Sequence, residues 1–458
     1  MQHQETPSNK IVQWIKTSIT ARMAMVGFLT LVLIIPLVFV QELIQERARR
    51  QQEVIAEIND KWGEELLVYG PILKIPYKSY TEKAIKNTET QTLTTETVTQ
   101  TNYAYFFPET LDIKSAVNPE VRNRSIYKTT VFSATAALEG TFSMPDFTEA
   151  GVQPEDIEWE NARIILKTSN LKGVSEAVRI KMGTSAYDFV SQYDSATAHR
   201  TLDEVPLHLV QSAFLKTKDV PQEGKIPFQM DLKINGSEQI RFVPIGKSTS
   251  ATITSTWKTA SFIGDFLPHN TDKFTAEGFN AKWNVLDINR PFSQQFFNTL
   301  PNLTAYAFGV NFMIPVDHYQ KSERTAKYGF LVIGLTFLIF FMIQTLSKIG
   351  IHPFQYLMIG IALVLFYTLL IALTEHSNFL TAYLISGSMV IVLISLYTYS
   401  ILKHLKFALF IAAALTLLYG FIYVIIQLEQ YALLVGSLGL FTILALVMFT
   451  SRKIDWNS

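Results

Sequence analysis

Glu375 and His376 sit side by side in LLIALTEHSNF, where a long apolar run breaks off. An acid beside an imidazole at the end of such a run suits a proton path, a metal site, or a hydrated turn with no chemistry at all. Gln355, Tyr356 and Tyr367 precede them on the same run. Gly360, Tyr367 and Thr374 are spaced by seven, so they fall nearly on one helical face. That face reads either as interhelical packing with its hydroxyls satisfied, or as a polar track leading to Glu375.

Other chemistry-bearing residues are dispersed. His199, His208, His269 and His318 are isolated in sequence, so a metal site would require the fold to gather them. Asp203 and Glu204 are adjacent carboxylates that read as a helix start or solvated turn. Arg122 and Arg124, in NPEVRNRSIY, read as surface or salt-bridged residues, with a small ligand clamp as the alternative. In YGPILKIPY, proline fixes φ and restricts the residue before it. A conformational role for Tyr69, Gly70, Pro71, Pro76 and Tyr77 is therefore at least as well founded as ligand contact. The sequence has no G-x-S-x-G elbow, phosphate loop, H-E-x-x-H or G-x-G-x-x-G. It has no cysteine, which excludes disulfides and thiolate chemistry. No catalytic residue, cofactor or metal is expected.

The elements that hold these residues divide sharply. Of 458 residues, 48% are hydrophobic and the net charge is zero, which argues against a nucleic-acid partner. Most of the charge lies between residues 41 and 327. Six apolar runs are long enough to cross a membrane: 24–40, 328–346, 353–374, 379–400, 407–426 and 431–450. The first is too long for the apolar core of a signal peptide, and FVQELIQ lacks a small-x-small cleavage pattern, so it reads as a retained anchor. Lys10, Lys16 and Arg22 before it oppose Arg47, Arg49 and Arg50 after it, leaving its orientation open. The later loops decide. Lys348, Lys403, Lys406, Arg452 and Lys453 fall in alternate loops, whereas EHSN and QLEQ contain no Lys or Arg. The positive-inside rule then puts both termini in the cytoplasm and the charged middle outside. In the fifth run, Ala408, Ala412, Thr416 and Gly420 form a small-residue row suited to close helix packing.

A cytoplasmic segment over 1–23 leads into the first span, and QELIQERARRQQEVIAEINDKWG suggests that the span continues outward as a stalk helix over 41–67, with Gly63 a plausible stop. Residues 68–327 then read as β-rich. PFQMDLKI alternates strictly, Asn235-Gly236 follows as a turn, and QIRFV alternates again, which predicts a hairpin. QTLTTETVTQTNYAYF, SIYKTTVFSATAALEGTF and SATITSTW predict further strands, and a helix is possible over 205–216. The expected fold is a six-helix membrane bundle (one plus five) with a large β-rich, sandwich-like external domain inserted between helices one and two. That domain is one elaborate sandwich or two joined. The five-helix bundle covers 328–450, and 451–458 form a cytoplasmic tail.

Several separated blocks, in order, resemble one family. They are YGPILKIPY, NPEVRNRSIYKTTVFSATAALEGTF, RFVPIGKSTSATITSTWKTASFIGDFLP, GFNAKWNV, IPVDHYQKSERTAKYGFLVIGLTF and IHPFQYLMIGIALVLFYTLLIALTEHSNFLTAYLI. The sequence is similar in these to the inner membrane protein CreD family, also called cell envelope integrity protein. The resemblance implies a bacterial inner-membrane location, a setting of envelope stress under a two-component sensor system, and altered colicin tolerance. It also implies an acid near the end of helix two, where this chain has Gln344. It implies no reaction. The leading expectation is a non-catalytic protein whose external domain binds or senses an envelope component or braces a complex. Its partners would be membrane lipids and an envelope protein or glycan. A transporter or lipid-handling protein lined by Gln355, Tyr356, Tyr367 and Glu375 is the alternative, and a periplasmic hydrolase a third.

Overall fold

The computed structural model describes residues 19–86, 93–192, 206–312, 318–347, 349–428 and 431–452. His199, Asp203, Glu204, Lys10, Lys16, Lys348 and Lys453 lie outside them. The chain forms two compact units, one of 1–53 with 316–458 and one of 54–315.

The first unit contains the apolar helices. α1 (Ile19–Trp62) is one helix of 44 residues with Pro36 inside it, and its residues from 54 onward belong to the second unit. α2 (His318–Lys327) is short and polar, and falls within residues 68–327 that the sequence predicts to be β-rich. Its Tyr319, Ser322, Thr325 and Ala326 are buried at helical spacing, which makes it part of the helical unit. Then follow α3 (Gly329–Ser347), α4 (Pro353–Thr374), α5 (Phe379–Leu402), α6 (Leu405–Gln427) and α7 (Ala432–Ser451). Among the described residues six of these, all but α2, are long and apolar enough to cross a membrane.

α1 packs through Leu33, Leu37, Val40 and Ile44, a stripe of alternating four- and three-residue steps. It meets α4 at Gly360, where an added Cβ would fall 2.0 Å from Leu33 Cδ1. The small-residue row of α6 packs only at its start, where Ala408 is buried. Thr416 and Gly420 are exposed, and Thr416 bonds Ala412 O of its own helix at 2.8 Å. Beyond Ala408 the helix buries Ile411, Leu415, Leu418, Tyr419 and Ile422, because large apolar side chains gain more contact than small ones.

The second unit is the β-rich domain. Its strands are β1 (Leu66–Lys86), β2 (Leu93–Phe106), β3 (Thr110–Arg124), β4 (Tyr127–Ser143), β5 (Arg163–Thr168), β6 (Arg179–Met182), β7 (Ser185–Gln192) and β8 (His208–Ser212). They continue as β9 (Lys225–Ser237), β10 (Gln239–Phe242), β11 (Ser248–Ser255), β12 (Ser261–Gly264), β13 (Phe274–Thr275), β14 (Gly278–Leu286), β15 (Gln295–Phe297) and β16 (Phe308–Asn311). The order β12-β16-β10-β1-β5-β8-β7-β6-β9-β4-β3-β11-β14-β13 runs through two sheets that share β7. The first half of β7 pairs with β6 and the second half with β8. One contiguous core joins both sheets, with Trp283, Phe132, Phe142, Phe242, Phe308 and Phe312 among its largest members. Burying each such ring contributes about 1.5–3 kcal/mol, so the domain needs no disulfide.

Three local expectations are corrected. The stalk helix ends at Trp62, not 67, and strand begins at Leu66; Gly63, at φ 128°, makes the stop. Asn235-Gly236 is not a hairpin turn. β9 runs through it to Ser237, chain direction changes at Glu238 (φ 59°), and β10 pairs with β1 and β16 rather than β9. Gly236 lies against the Phe132 ring, so the glycine serves close packing. The possible helix over 205–216 is strand β8 over His208–Ser212, because the pairing with β5 and β7 outweighs local propensity.

Candidate functional site

YGPILKIPY forms the first half of β1, and its unusual residues mark where that strand changes neighbour. Leu66–Val68 pair parallel with β10, and Leu73 onward pair antiparallel with β2. Between them the register with β5 slips, so Gly70 and Pro71 together oppose one residue. This is a β-bulge, a place in a sheet that tolerates a proline lacking N–H. Gly70 has φ 150°, and a Cβ there would fall 2.7 Å from Leu166 Cδ1. The Gly70–Pro71 peptide is cis. Tyr69 is fully buried; its hydroxyl donates to Pro301 O at 3.2 Å, and burial pushes the phenol above its ordinary range. Pro76 is buried and its carbonyl accepts from Glu158 N at 3.0 Å. Tyr77 donates to Asn298 Oδ1 at 2.8 Å and meets Phe147 and Phe297 edge-on. Burial raises its phenol too. Tyr69 and Tyr77 belong to the core of the domain, and Gly70, Pro71 and Pro76 are buried beside them in the strand.

Arg122 and Arg124 stand near the tip of the β3–β4 ribbon, beyond the residues where β11 and β9 pair with it. The tip grips the end of α1. The Arg124 guanidinium lies 2.6 Å from Glu57, and the Arg122 guanidinium stacks 4.7 Å from the Trp62 ring centroid. Thr129 Oγ1 donates to Asn59 Oδ1 at 3.2 Å. Hydrogen bonds from Arg124 and then Lys61 hold the Glu57 carboxyl at about 2, below its ordinary 4.5. The arginine pair holds a helix. Trp62 and Glu57 are the partners that sequence reasoning missed, because the spacing of 60 to 70 residues gives no local signal.

In the helical unit, Tyr356 is buried between the edges of Phe337 and Phe340, and its hydroxyl donates to Gln344 Oε1 at 2.8 Å. Tyr367 is buried against Phe366, whose ring also meets Tyr383 and Tyr419. Gln355 caps α4: its Oε1 accepts from His352 N at 2.8 Å, while His352 Nδ1 accepts from Phe354 N. Glu375 is the C-terminal cap of the same helix and turns inward. Arg47 Nη1 of α1 lies 3.7 Å from it, and Tyr319 of α2 donates to it at 3.4 Å. His376 is exposed, and Asn378 Oδ1 caps α5 by accepting from Thr381 N at 2.8 Å. The opening motif is thus a capped helix–helix turn in which Glu375 ties α1, α2 and α4 together. No polar track connects these residues: Gln355 lies at one end of α4, Glu375 at the other, and packed rings lie between.

The described external histidines belong to separate elements: His208 is on β8, His269 lies before β13 and His318 starts α2. Among the described residues no group of three His, Asp or Glu is placed to hold a metal ion.

Two surfaces remain that sequence analysis did not single out by residue. One is the β1–β2 ribbon. From Lys78 on β1 and up to Asn102 on β2, each strand pairs only with the other among the described residues. Tyr80, Val98 and Tyr103 are exposed on it. The other is an apolar groove of about 930 Å³ between α3, α6 and α7.

The family model described as "Inner membrane protein CreD" matches residues 18–457. This chain belongs to the CreD family. The inner membrane protein CreD of Escherichia coli (strain K12) is 28% identical over 439 residues, covering 93% of this chain and 91% of that protein. Membership makes the chain an inner membrane protein, in keeping with its six apolar helices. The CreD description names a location and no reaction.

Proposed function

We propose that this CreD-family protein is a non-catalytic component of the cell envelope, with its β domain on the periplasmic side and both termini in the cytoplasm. In this reading the domain binds or senses an envelope component, or braces a complex, under envelope stress, and altered colicin tolerance follows from its loss. The basic residues Lys403, Lys406 and Arg452 close one end of the helical unit, which the positive-inside rule assigns to the cytoplasm.

The observation that carries the binding role is the β1–β2 ribbon, which beyond Tyr77 and Tyr103 pairs with no third strand among the described residues, though Tyr80 donates its hydroxyl to Asp156 at 2.7 Å. Among the described residues its backbone edges meet no third strand from Lys78 to Glu82 and from Thr97 to Asn102. Such an edge recruits an extended segment by strand addition. The exposed Tyr80 and Val98 add apolar contact beside it.

A cysteine-free chain allows a clean test of orientation. Single cysteines at Glu160 and Lys403 should differ in labelling by an impermeant maleimide. Glu160→Cys labels in cells with a permeable outer membrane, and Lys403→Cys only after the inner membrane is broken. The reverse pattern sinks the proposal. A photoreactive residue at Tyr80 or Val98 should capture a specific protein or glycan that the same probe at Arg122 does not. Equal capture at all positions removes the ribbon as the binding edge.

A further inference from the structure

The groove between α3, α6 and α7 is lined almost wholly by apolar side chains, including Leu338, Met342, Phe410, Leu417 and Val447. Its volume of about 930 Å³ lies at the top of the range of roughly 300–1,000 Å³ that takes a discrete small molecule. On α3 it runs from Leu335 to Ser347, about 18 Å at about 1.5 Å per residue. That is close to the depth of one leaflet, half of a hydrocarbon core about 30 Å thick. The groove stays open because α7 buries none of its residues against protein. A second cleft of about 440 Å³, lined by Met23, Gly27 and Gly334, flanks the same helix on its α1 side.

One end of the groove is different. Ser347, Lys406 and Thr450 line it there. Among the described residues Lys406 has no ion-pair or hydrogen-bond partner, and neither have the nearby side chains of Lys403 and Arg452. α6 starts at this end with no side-chain cap on its first amides, which adds the positive pole of a helix. The described carboxylates of the helical unit (Glu42, Glu46, Glu53, Glu323 and Glu375) all belong to the opposite ends of their helices or precede α3. The site is cationic at its mouth and oily along its length.

We propose that this groove holds an anionic phospholipid, with an acyl chain along α3, α6 and α7 and the headgroup phosphate at Lys406. Charge complementarity and the match to one leaflet's depth select this occupant, and basic pockets between membrane helices are a known kind of lipid headgroup site.

The test is native mass spectrometry of the full chain in detergent, challenged with phosphatidylglycerol or phosphatidylcholine of identical chains. One phosphatidylglycerol per chain should be retained in preference to phosphatidylcholine. Lys406→Gln should cut that preference about fivefold, the loss expected of one basic contact with an anionic lipid surface, and Lys406→Arg should keep it. Ala414→Trp, which fills the groove, should release the lipid. Equal retention of both headgroups, or no effect of Lys406→Gln, an exposed substitution that leaves the packing alone, overturns the proposal. So does displacement of the bound species by inorganic phosphate alone, which marks an ion site. A dimer that Ala414→Trp dissociates would show that a second copy fills the groove instead.

Discussion

Arg122 and Arg124 show how a side chain's partner defines its role. An arginine pair suits a bound anion, but here the acceptors are Glu57 and the Trp62 ring, both on α1. The Glu57 carboxyl, held at about 2, gives a pH signature. Its folded value lies below its unfolded one, so its contribution is present above about 4.5 and is lost as pH falls through about 2. Trp62 fluorescence should therefore stay constant from neutral pH down to about 4. In Arg124→Ala the carboxyl should titrate closer to 4.5, with Lys61 still lowering it. A Trp62 signal that changes between pH 7 and 5 in the native protein contradicts this grip. Arg122→Ala removes a half-exposed cation–π contact and should cost about 0.5 kcal/mol. In the helical unit, Tyr356→Phe leaves Gln344 Oε1 buried without its donor. The cost should be about 0.6 kcal/mol, and no more than ~1.7, in a membrane interior. The Tyr356→Phe, Gln344→Leu double variant should recover most of it in a denaturant titration in micelles, because no polar atom is then stranded.

At the scale of elements, YGP reads differently once its neighbours are visible. Gly70→Ala puts a Cβ against Leu166 and β5 backbone at positive φ, so it should destabilise the domain by about 1–3 kcal/mol. A substitution that leaves the melting temperature of the domain unchanged would show that the bulge relaxes freely. The long alternations of β4, β9 and β11 were legible because each buries one face. The β9–β10 boundary was not. Asn235-Gly236 has the composition of a turn, but the pairing of Asn235 and Gly236 with β4 keeps them in strand. Strand β8 was also hidden, since its partners β5 and β7 are remote or themselves divided between sheets. Six apolar spans were readable from hydropathy alone, but which face of each helix packs was not. On α6 Ala408 packs inward, whereas Thr416 and Gly420 of the same small-residue row face outward. The turn at Glu375 was legible as a boundary, whereas its contacts with Arg47 and Tyr319 join residues more than 50 positions away. That ion pair is half-exposed on the Arg47 side, so Glu375→Gln should cost no more than about 1 kcal/mol.

On the scale of the whole molecule, the chain commits its polar chemistry to holding itself together. Arginines grip a helix, tyrosines seal two cores, and the Glu375 turn ties three helices. Left open among the described residues are a strand edge in one unit and two greasy clefts in the other. Resistance of the tyrosine core to proteolysis, with early cleavage confined to the β1–β2 ribbon, is the expected pattern for the β domain. The terminal helix α7 has a different consequence. Its hydroxyls at Ser437, Thr442, Thr450 and Ser451 all bond carbonyls of their own helix, and no neighbour encloses any of its side chains. Away from the groove wall, selection on this segment acts on greasiness and length more than on shape. Swapping Leu, Ile, Val or Phe for one another on its outward side should be nearly silent, so that stretch is free to drift among descendants faster than any other span.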